Sequence, residues 1–386
     1  MIIQMQAGVG KSDPRVAAVV EKAKQYRLNP LVHSEQGTHV GVVEIHLKDG
    51  DMKTSALSEH IFVALDGVEN VRRVTRPKVT LSANGMRDGK HIKLSPSTLI
   101  GAGLPCQIVA GPCTVDEKTV GPIVKGLVTE YGITAIRGGG WKPRSSPYSF
   151  PGYGERGIRL LLNAAGHEGI GTVFTEVMES QHITAVARIK QEVGYTGTVV
   201  PWVGARTGNP MLLSELGKQY EFPVMLKNSI SAKGVDDLFE RAERVLAGPL
   251  YWNDDGTLDE KRSMVSGNDN IILCLRGTEK TDPKSSYRFR PNHDWAETLR
   301  ARSWAPIAID PSHSAGTMEN DLVLKNIRAA LQHDIDMLIV EGGYPAKGFG
   351  GTGFRGLCDA EQSFPLERFG EILNLVSEHN RAFKKQ

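Results

Sequence analysis

The sequence predicts an α/β protein, a (β/α)8 TIM barrel preceded by a small N-terminal ferredoxin-like α+β domain. Two observations support this fold class. After residue 105, short apolar runs alternate eight times with amphipathic helical stretches, which is typical of a (β/α)8 barrel. The first 80 or so residues instead follow the order β-α-β-β-α-β. We therefore expect an N-terminal domain over 1–80, a connector over 81–104 and a barrel over 105–386.

The N-terminal domain shows both strand and helix patterns. Helical periodicity covers Asp13–Tyr26 and Ser55–Leu65, and Asp13-Pro14 is a favourable helix start. The connector contains a polar stretch with an Asn84-Gly85 turn signal. Apolar runs predict strands at Met1–Met5, Pro30–His33, His39–His46 and Val68–Val74.

The barrel strands are predicted from eight short apolar runs. These are Gln107–Ala110, Thr134–Arg137, Thr172–Glu176, Thr198–Val203, Pro223–Lys227, Ile271–Arg276, Pro306–Asp310 and Met337–Glu341. A doubly wound open sheet is the competing fold, but eight strands without a Gly-rich dinucleotide loop favour the barrel. The polar segment Gly248–Asn270 is expected to be an extended connection between a helix and a strand, without chemistry of its own.

Composition excludes several classes of protein. Of 386 residues, 40% are hydrophobic and 23% charged, and the net charge of +2 gives no reason to expect a nucleic-acid partner. No run of roughly 18 apolar residues is present, so we expect no membrane span. The N-terminus lacks the pattern of a signal peptide. Four widely spaced cysteines suit the reducing cytoplasm, where we expect the protein to act.

Reactive side chains follow each predicted barrel strand. Because (β/α)8 enzymes build their active sites at the carboxyl ends of their strands, these side chains are expected to share one pocket. They are Cys113, Arg137, Lys142, Arg144, Glu176, Arg206, Lys227, Arg276, His313 and Glu341. Six of them are cations, which would repel one another unless the ligand carries several negative charges. Any single cation could instead belong to a structural ion pair.

Cys113, His313, Glu341 and Asp359 form a second group with different chemistry. Thiolate, imidazole and carboxylate donors together suit a catalytic divalent ion better than a closed structural zinc site. Each residue could instead have a structural role. A lone cysteine after a strand is often a small core residue, and the two carboxylates could be solvated or paired with arginines.

Four sequence blocks resemble the type I 3-deoxy-D-arabino-heptulosonate 7-phosphate (DAHP) synthases. The blocks are Ala110-Gly111-Pro112-Cys113, Arg137 to Phe150 (RGGGWKPRSSPYSF), Gly204-Ala205-Arg206 and Asp310-Pro311-Ser312-His313-Ser314. The resemblance implies a transferase that condenses phosphoenolpyruvate with erythrose 4-phosphate and water, giving DAHP and phosphate. That reaction is the first step of the shikimate pathway to aromatic amino acids.

The resemblance also implies a role for each matching residue. Cys113, His313, Glu341 and Asp359 would bind a divalent metal, either Mn, Fe, Co or Zn. Lys142, Pro143, Arg144 and Ser145 would hold the aldehyde phosphate, and Glu176 and Lys142 are candidates for proton transfer or water positioning. Phosphoenolpyruvate would be held by Arg137, Lys142, Ala205, Arg206, Lys227 and Arg276.

Some alternatives remain at this point. A related 3-deoxy-ulosonate phosphate synthase would use another aldehyde, such as arabinose 5-phosphate, but that family usually has Lys-Ala-Asn-Arg-Ser where this chain has Lys-Pro-Arg-Ser. A catalytically inactive barrel that binds an effector is the non-enzyme alternative. By resemblance, the N-terminal domain is ACT-like and regulatory and binds an aromatic amino acid, or else serves only oligomer packing. We expect a homo-oligomer, a tetramer or dimer, and a flexible glycine-rich loop over 348–356.

Overall fold

The computed structural model describes most of the chain, and its described residues are 1–36, 41–48, 50, 54, 57, 59–72, 90–144, 146–219, 221–257, 259, 262, 267–280, 282–348 and 362–384. They form two compact units. One comprises Met1–Val79 together with Pro249–Val265, and the other comprises Thr80–Gly248 together with Ser266–Gln386.

The first unit is built on a four-stranded antiparallel sheet. Its elements are β1 (Ile2–Met5), α1 (Pro14–Gln25), β2 (Asn29–Gln36), β3 (Gly41–Lys48), α2 (His60–Val63) and β4 (Val68–Arg72). The strand order β2-β3-β1-β4 and the two helices confirm the predicted ferredoxin-like arrangement. Alternate residues of the sheet face a core that includes Ile3, Ile45 and Phe62, each fully buried.

A distant stretch of sequence packs within this first unit. The Tyr26 hydroxyl donates a hydrogen bond to the backbone carbonyl of Asp255, at 2.8 Å. Leu57 pairs with Thr257 in an isolated antiparallel bridge, and Leu57 itself is fully buried. The segment Pro249–Val265 therefore connects a helix to a strand in sequence, as expected, but it folds with the N-terminal residues.

A short hairpin closes one end of the barrel interior. It consists of β5 (Ile92–Ser95) and β6 (Thr98–Ile100), which pair antiparallel. Ile92 and Leu94 are buried in the same core cluster as side chains from the barrel strands. The Thr172 hydroxyl, at the start of a barrel strand, donates to the Leu94 carbonyl at 2.8 Å. The described part of the expected connector thus contains a structured plug at the amino ends of the strands.

Eight parallel strands form the closed barrel. In chain order they are β7 (Gln107–Gly111), β8 (Ala135–Arg137), β9 (Thr172–Val177), β10 (Thr198–Val203), β11 (Val224–Lys227), β12 (Ile271–Leu275), β13 (Ile307–Ile309) and β14 (Met337–Tyr344). Each strand pairs with the next, and β14 pairs with β7 to close the ring. This closure confirms the predicted (β/α)8 barrel and excludes the open doubly wound sheet.

Helices surround the barrel. They are α3 (Val120–Tyr131), α4 (Glu155–His167), α5 (Ser180–Glu192), α6 (Pro210–Lys218), α7 (Asp236–Ala247), α8 (Trp295–Arg302), α9 (Pro311–Ala315), α10 (Leu322–Ala330) and α11 (Phe369–Phe383). A short strand β15 (Phe364–Pro365) pairs with the end of β14. Within the described residues, no helix is long and apolar enough to span a bilayer.

Candidate active site

The carboxyl ends of the barrel strands surround one pocket. Its lining residues come from β8, β9, β10 and β11, from the loops that follow β8, β10 and β12, and from α9. They are Arg137, Lys142, Pro143, Arg144, Glu176, Trp202, Gly204, Ala205, Arg206, Lys227, Arg276, Arg288 and His313. Seven of these side chains are arginine or lysine, so the pocket is strongly electropositive.

Three of the four predicted metal ligands lie together beside this pocket. The Sγ of Cys113 is 3.9 Å from Nε2 of His313, and that nitrogen is 3.7 Å from Oε2 of Glu341. One donor atom from each residue lies within 4.8 Å of the others. Cys113 and Glu341 are fully buried. Asp359, the fourth predicted ligand, lies outside the described residues.

The arrangement fits a divalent metal. A metal with ligand bonds of about 2.0–2.3 Å separates neighbouring donors by roughly 3–4 Å. The distances of His313 Nε2 from the other two donors, 3.9 Å and 3.7 Å, fall in that range. Thiolate sulfur, imidazole nitrogen and carboxylate oxygen together make a mixed donor set that suits a divalent transition metal. The residues present therefore suit such an ion.

Asp310 orients the imidazole of His313. The Nδ1 of His313 lies 2.8 Å from Oδ2 of Asp310, and the His313 backbone N–H donates to Oδ1 at 3.2 Å. A proton held on Nδ1 leaves the lone pair on Nε2, which faces the other two donors. Asp310 is the last residue before α9, where its carboxylate also caps the short helix.

Asp310 also binds Lys227. The Lys227 ammonium donates to Oδ2 of Asp310 at 2.6 Å, and both side chains are almost fully buried. Although burial opposes ionisation, the nearby charges of His313 and Lys227 hold the pKa of Asp310 well below its ordinary value. One carboxylate therefore fixes a predicted metal ligand and a predicted phosphoenolpyruvate ligand at once.

Glu341 is held by two polar neighbours. Nε2 of Gln362 donates to its Oε2 at 2.5 Å, and the Glu341 backbone N–H donates to the Ser312 hydroxyl at 3.0 Å. Ser312 belongs to α9, so the same short helix carries His313 and supports the strand that carries Glu341.

Lys142 lies between the triad and the pocket. Its ammonium donates to the Cys113 sulfur at 2.9 Å and to the Cys113 carbonyl at 3.2 Å. The same nitrogen is 3.9 Å from Oε2 of Glu176, and both side chains are nearly fully buried. A Cβ at Gly204 would come within 2.1 Å of Glu176 Oε1, so the carboxylate needs a glycine at that position.

Arg137 is the most deeply buried cation of the pocket. Its side chain is fully buried, and none of its guanidinium nitrogens has a hydrogen-bond partner among the described residues. Burial opposes its charge, but Cys113, Glu341, Asp310 and Glu176 together raise the pKa of Arg137. A buried guanidinium with five unused donors indicates a ligand with several acceptor oxygens.

Aromatic rings contact three cations of the pocket. Trp202 contacts both Arg137 and Lys227, with its ring centre 5.1 Å from the guanidinium carbon and 4.9 Å from the ammonium nitrogen. Phe289 packs 4.3 Å from the guanidinium of Arg276. Burial, with the charges of other arginines, lowers the pKa of Arg276 to about 10, which leaves it protonated at neutral pH.

The predicted aldehyde-phosphate residues are partly described. Pro143 and Arg144 line the pocket, and Nε of Arg144 donates to the Phe150 carbonyl at 3.0 Å. Trp141, next to Lys142, stacks on His182 with ring centres 4.0 Å apart, which anchors the start of this loop. Ser145 lies outside the described residues.

Several residues of the site were not predicted as such. Asp310 begins the Asp310–Ser314 motif, three residues before His313. An aspartate directly before a proline-led helix start is a sequence signal from which its capping role could have been predicted. Trp202 lies one residue before the end of the predicted strand Thr198–Val203, so its position could have been recovered from the strand pattern. Gln362, Arg288 and Phe289 carry no local signal, because only the folded chain brings them to Glu341, to the pocket and to Arg276.

Comparison with known proteins identifies the family of this chain. Residues 80–380 match the model of the DAHP synthetase I family. The chain belongs to the DAHP synthetase I family. This confirms the resemblance inferred from the sequence motifs, and with it the enzyme class.

Two individual proteins are similar to this chain over most of its length. It is 32% identical over 375 residues to a phospho-2-dehydro-3-deoxyheptonate aldolase of Thermotoga maritima, covering 97% of this chain and 96% of that protein. A 2-dehydro-3-deoxyphosphooctonate aldolase of Methylococcus capsulatus is 24% identical over 306 residues, covering 74% of this chain and 92% of the relative.

Solved structures show the same relationship. The crystal structure of the Thermotoga maritima phospho-2-dehydro-3-deoxyheptonate aldolase (DAHP synthase) aligns with a TM-score of 0.73 and 28% identity, over 99% of this chain and 97% of that one. A truncated form of the Thermotoga 3-deoxy-D-arabino-heptulosonate 7-phosphate synthase aligns with a TM-score of 0.59 and 27% identity, over 78% of this chain and 96% of that one.

Proposed function

We propose that this DAHP synthetase I family member condenses phosphoenolpyruvate with erythrose 4-phosphate and water, releasing DAHP and inorganic phosphate. One observation carries the proposal: a thiol, an imidazole and a carboxylate within 4.8 Å of one another border a pocket lined by seven cations. Such a site suits two phosphorylated substrates and a divalent ion, and the family provides the reaction that combines them.

Phosphoenolpyruvate is assigned to the deep, cationic part of the pocket. Arg137 and Arg276 are buried and offer planar forks that match phosphate or carboxylate oxygens, while Lys227 offers a compact charge. Six residues are proposed to bind this substrate, namely Arg137, Lys142, Ala205, Arg206, Lys227 and Arg276. An anion between these cations would relieve their mutual repulsion.

The aldehyde phosphate is assigned to the Lys142-Pro143-Arg144-Ser145 segment. Lys142, Pro143 and Arg144 line the pocket, and Lys142 lies closest to the proposed metal ligands. The Lys-Pro-Arg order supports the four-carbon aldehyde over arabinose 5-phosphate, which remains the second candidate because of the similarity to the Methylococcus aldolase.

Cys113, His313, Glu341 and Asp359 are proposed to hold the metal, which is Mn, Fe, Co or Zn. A divalent ion at this position would supply Lewis acidity toward the aldehyde oxygen. The chain's own contribution is to orient the donors: Asp310 fixes the tautomer of His313, and Gln362 holds the carboxylate of Glu341.

The proposed bond changes can be written with all atoms accounted for. A bond forms between C3 of phosphoenolpyruvate and the aldehyde carbon, and the aldehyde oxygen takes a proton. Water adds its oxygen to C2 and loses a proton, which gives a hemiketal phosphate. The C2–O bond to phosphate then breaks, phosphate leaves with the bridging oxygen, and the C2 hydroxyl gives up its proton to the leaving phosphate as C2 becomes the ketone carbonyl. We assign the proton transfers to Lys142 and Glu176, whose Nζ and Oε2 atoms lie 3.9 Å apart in the pocket.

The test is phosphate release from phosphoenolpyruvate with each aldehyde, before and after chelation. We expect turnover with erythrose 4-phosphate, at most weak turnover with arabinose 5-phosphate, and loss of activity that added metal restores. Preferential turnover with arabinose 5-phosphate would replace the main proposal with the second candidate. Full activity in a chelator-treated Cys113→Ala variant would refute the metal site.

Residues 1–80 are proposed to form an ACT-like regulatory domain that binds tyrosine or phenylalanine. Support comes from the ferredoxin-like sheet and from a relative that matches this chain over nearly its full length. We further propose a cytoplasmic homo-oligomer, a tetramer or dimer. An amino-acid titration that leaves the rate unchanged would favour a packing role for the domain.

A further inference from the structure

The loop between β12 and α8 carries an arginine that none of the motifs assigns. Arg288 lines the active-site pocket together with Arg206 and Arg276, although it lies 12 positions after Arg276 in the sequence. Its side chain is exposed, at the rim, whereas Arg276 is buried. We propose that Arg288 is a further phosphate ligand, which closes the phosphoenolpyruvate phosphate subsite from the rim.

The backbone of Arg288 is fixed in place. Its N–H donates to the Ala315 carbonyl at 3.1 Å, and the next residue, Phe289, donates to the Ser314 carbonyl at 3.1 Å. These bonds tie the loop to α9, the helix that carries His313. A Cβ at Gly316 would lie 2.4 Å from the Arg288 Cβ, so glycine there permits the close approach. The arginine is thus held at the pocket by structured backbone.

An aromatic ring contacts both Arg288 and Arg276. Phe289 lies 4.3 Å from the guanidinium carbon of Arg276 and 5.5 Å from that of Arg288. The ring therefore lies within cation–π distance of both guanidinium groups.

Charge explains why this position suits an anion. The charges of Arg206 and Arg288 both oppose the protonated form of Arg276, so the three guanidinium groups are close enough to interact. A phosphate dianion between them would turn this repulsion into charge-assisted hydrogen bonds. Arg206 and Arg276 belong to the proposed phosphoenolpyruvate set, which assigns Arg288 to that phosphate and not to the aldehyde phosphate.

The test compares Arg288→Ala with Arg290→Ala. Arg290 is an exposed arginine of the same loop and does not line the pocket, so it controls for loss of a surface charge. In Arg288→Ala we expect the KM for phosphoenolpyruvate to rise by about 10- to 100-fold, the effect of one charge-assisted contact. The kcat and the KM for the aldehyde should change less than about twofold, and Arg288→Lys should recover part of the loss.

Direct binding separates this inference from the proposed function on which it rests. Calorimetry with inorganic phosphate and with phosphoenolpyruvate needs no turnover, and both should bind Arg288→Ala more weakly than Arg290→Ala. Equal affinities in the two variants would overturn the role of Arg288. A wild-type protein that binds phosphoenolpyruvate but releases no phosphate with any aldehyde would instead refute the proposed reaction and leave the subsite standing.

Discussion

Replacing Asp310 by asparagine should weaken metal binding although Asp310 is not itself a predicted metal ligand. The carboxylate accepts from Nδ1 of His313 and from the ammonium of Lys227, and it is fully buried. Asparagine keeps the shape but removes the charge that favours a proton on Nδ1. It also leaves Lys227 buried without its carboxylate partner.

The magnitude follows from these two contacts. Loss of an outer partner of a metal-binding histidine typically lowers metal affinity by about 10- to 100-fold, or about 1.4–2.8 kcal/mol. Removing one member of a buried ion pair costs about 3–5 kcal/mol of folding stability. We therefore expect Asp310→Asn to show both a weaker metal site and a lower free energy of unfolding.

Asp336→Asn provides a matched control. Asp336 is another fully buried carboxylate bound to two cations, Arg300 at 2.8 Å and Lys384 at 3.2 Å. It directly precedes β14, so it lies at the amino end of the strand, away from the triad. This variant should lose stability to a similar degree but keep the wild-type metal affinity.

The assay is competition between protein and a chelator for Mn²⁺ or Zn²⁺, with urea unfolding of the metal-free proteins in parallel. If Asp310→Asn binds metal as tightly as Asp336→Asn, the orienting role of Asp310 is wrong. Weaker binding in both variants would mean that lost stability, and not orientation of His313, controls the affinity.

Three further predictions follow from buried groups. Phosphoenolpyruvate at 100 times its Kd should stabilise the wild type by about 2.7 kcal/mol, and Arg137→Met should lose this thermal shift; an unchanged shift would exclude Arg137 from the binding site. Burial lowers the pKa of His293 to about 4, against about 6.5 in the unfolded chain, so stability should fall by up to about 3 kcal/mol as pH drops from 6.5 to 4. Because the unfolded chain alone binds the proton in that window, His293→Gln should flatten the pH dependence measured by urea unfolding, and an equal slope would contradict the assignment. Gly111→Ala should destabilise by at least about 2 kcal/mol, since Gly111 has φ +148° and a Cβ would lie 2.2 Å from the Arg137 carbonyl; Gly121→Ala, in open space, should cost nothing in thermal unfolding.

The barrel was predictable because its strands are buried on both faces and therefore appear as apolar runs. All residues of β9, β11 and β12 are buried, for example, and the sequence placed each of these strands within two residues of its observed ends. The hairpin of β5 and β6 was not predicted, since its few buried side chains gain their meaning only from the barrel core that they cover.

Some residues of the site could likewise be predicted from the sequence, and others could not. Side chains at strand ends, such as Arg137 and Lys227, could be found from local pattern because barrel topology brings strand ends together. Arg288 could not be found in this way, because it lies in the middle of a long loop whose backbone hydrogen bonds to α9 hold it at the pocket. Local sequence contains no record of such a contact.

The composition of the first compact unit affects how the protein can be divided. The chain passes between the units three times, after Val79, after Gly248 and after Val265. A barrel prepared by removing only the first 79 residues would retain Pro249–Val265, but Thr257 would lose its backbone pairing with Leu57, and the Asp255 carbonyl its bond from Tyr26. Preparing the barrel unit alone therefore requires two changes to the gene. One is a start codon near Thr80, and the other is a short loop in place of Pro249–Val265.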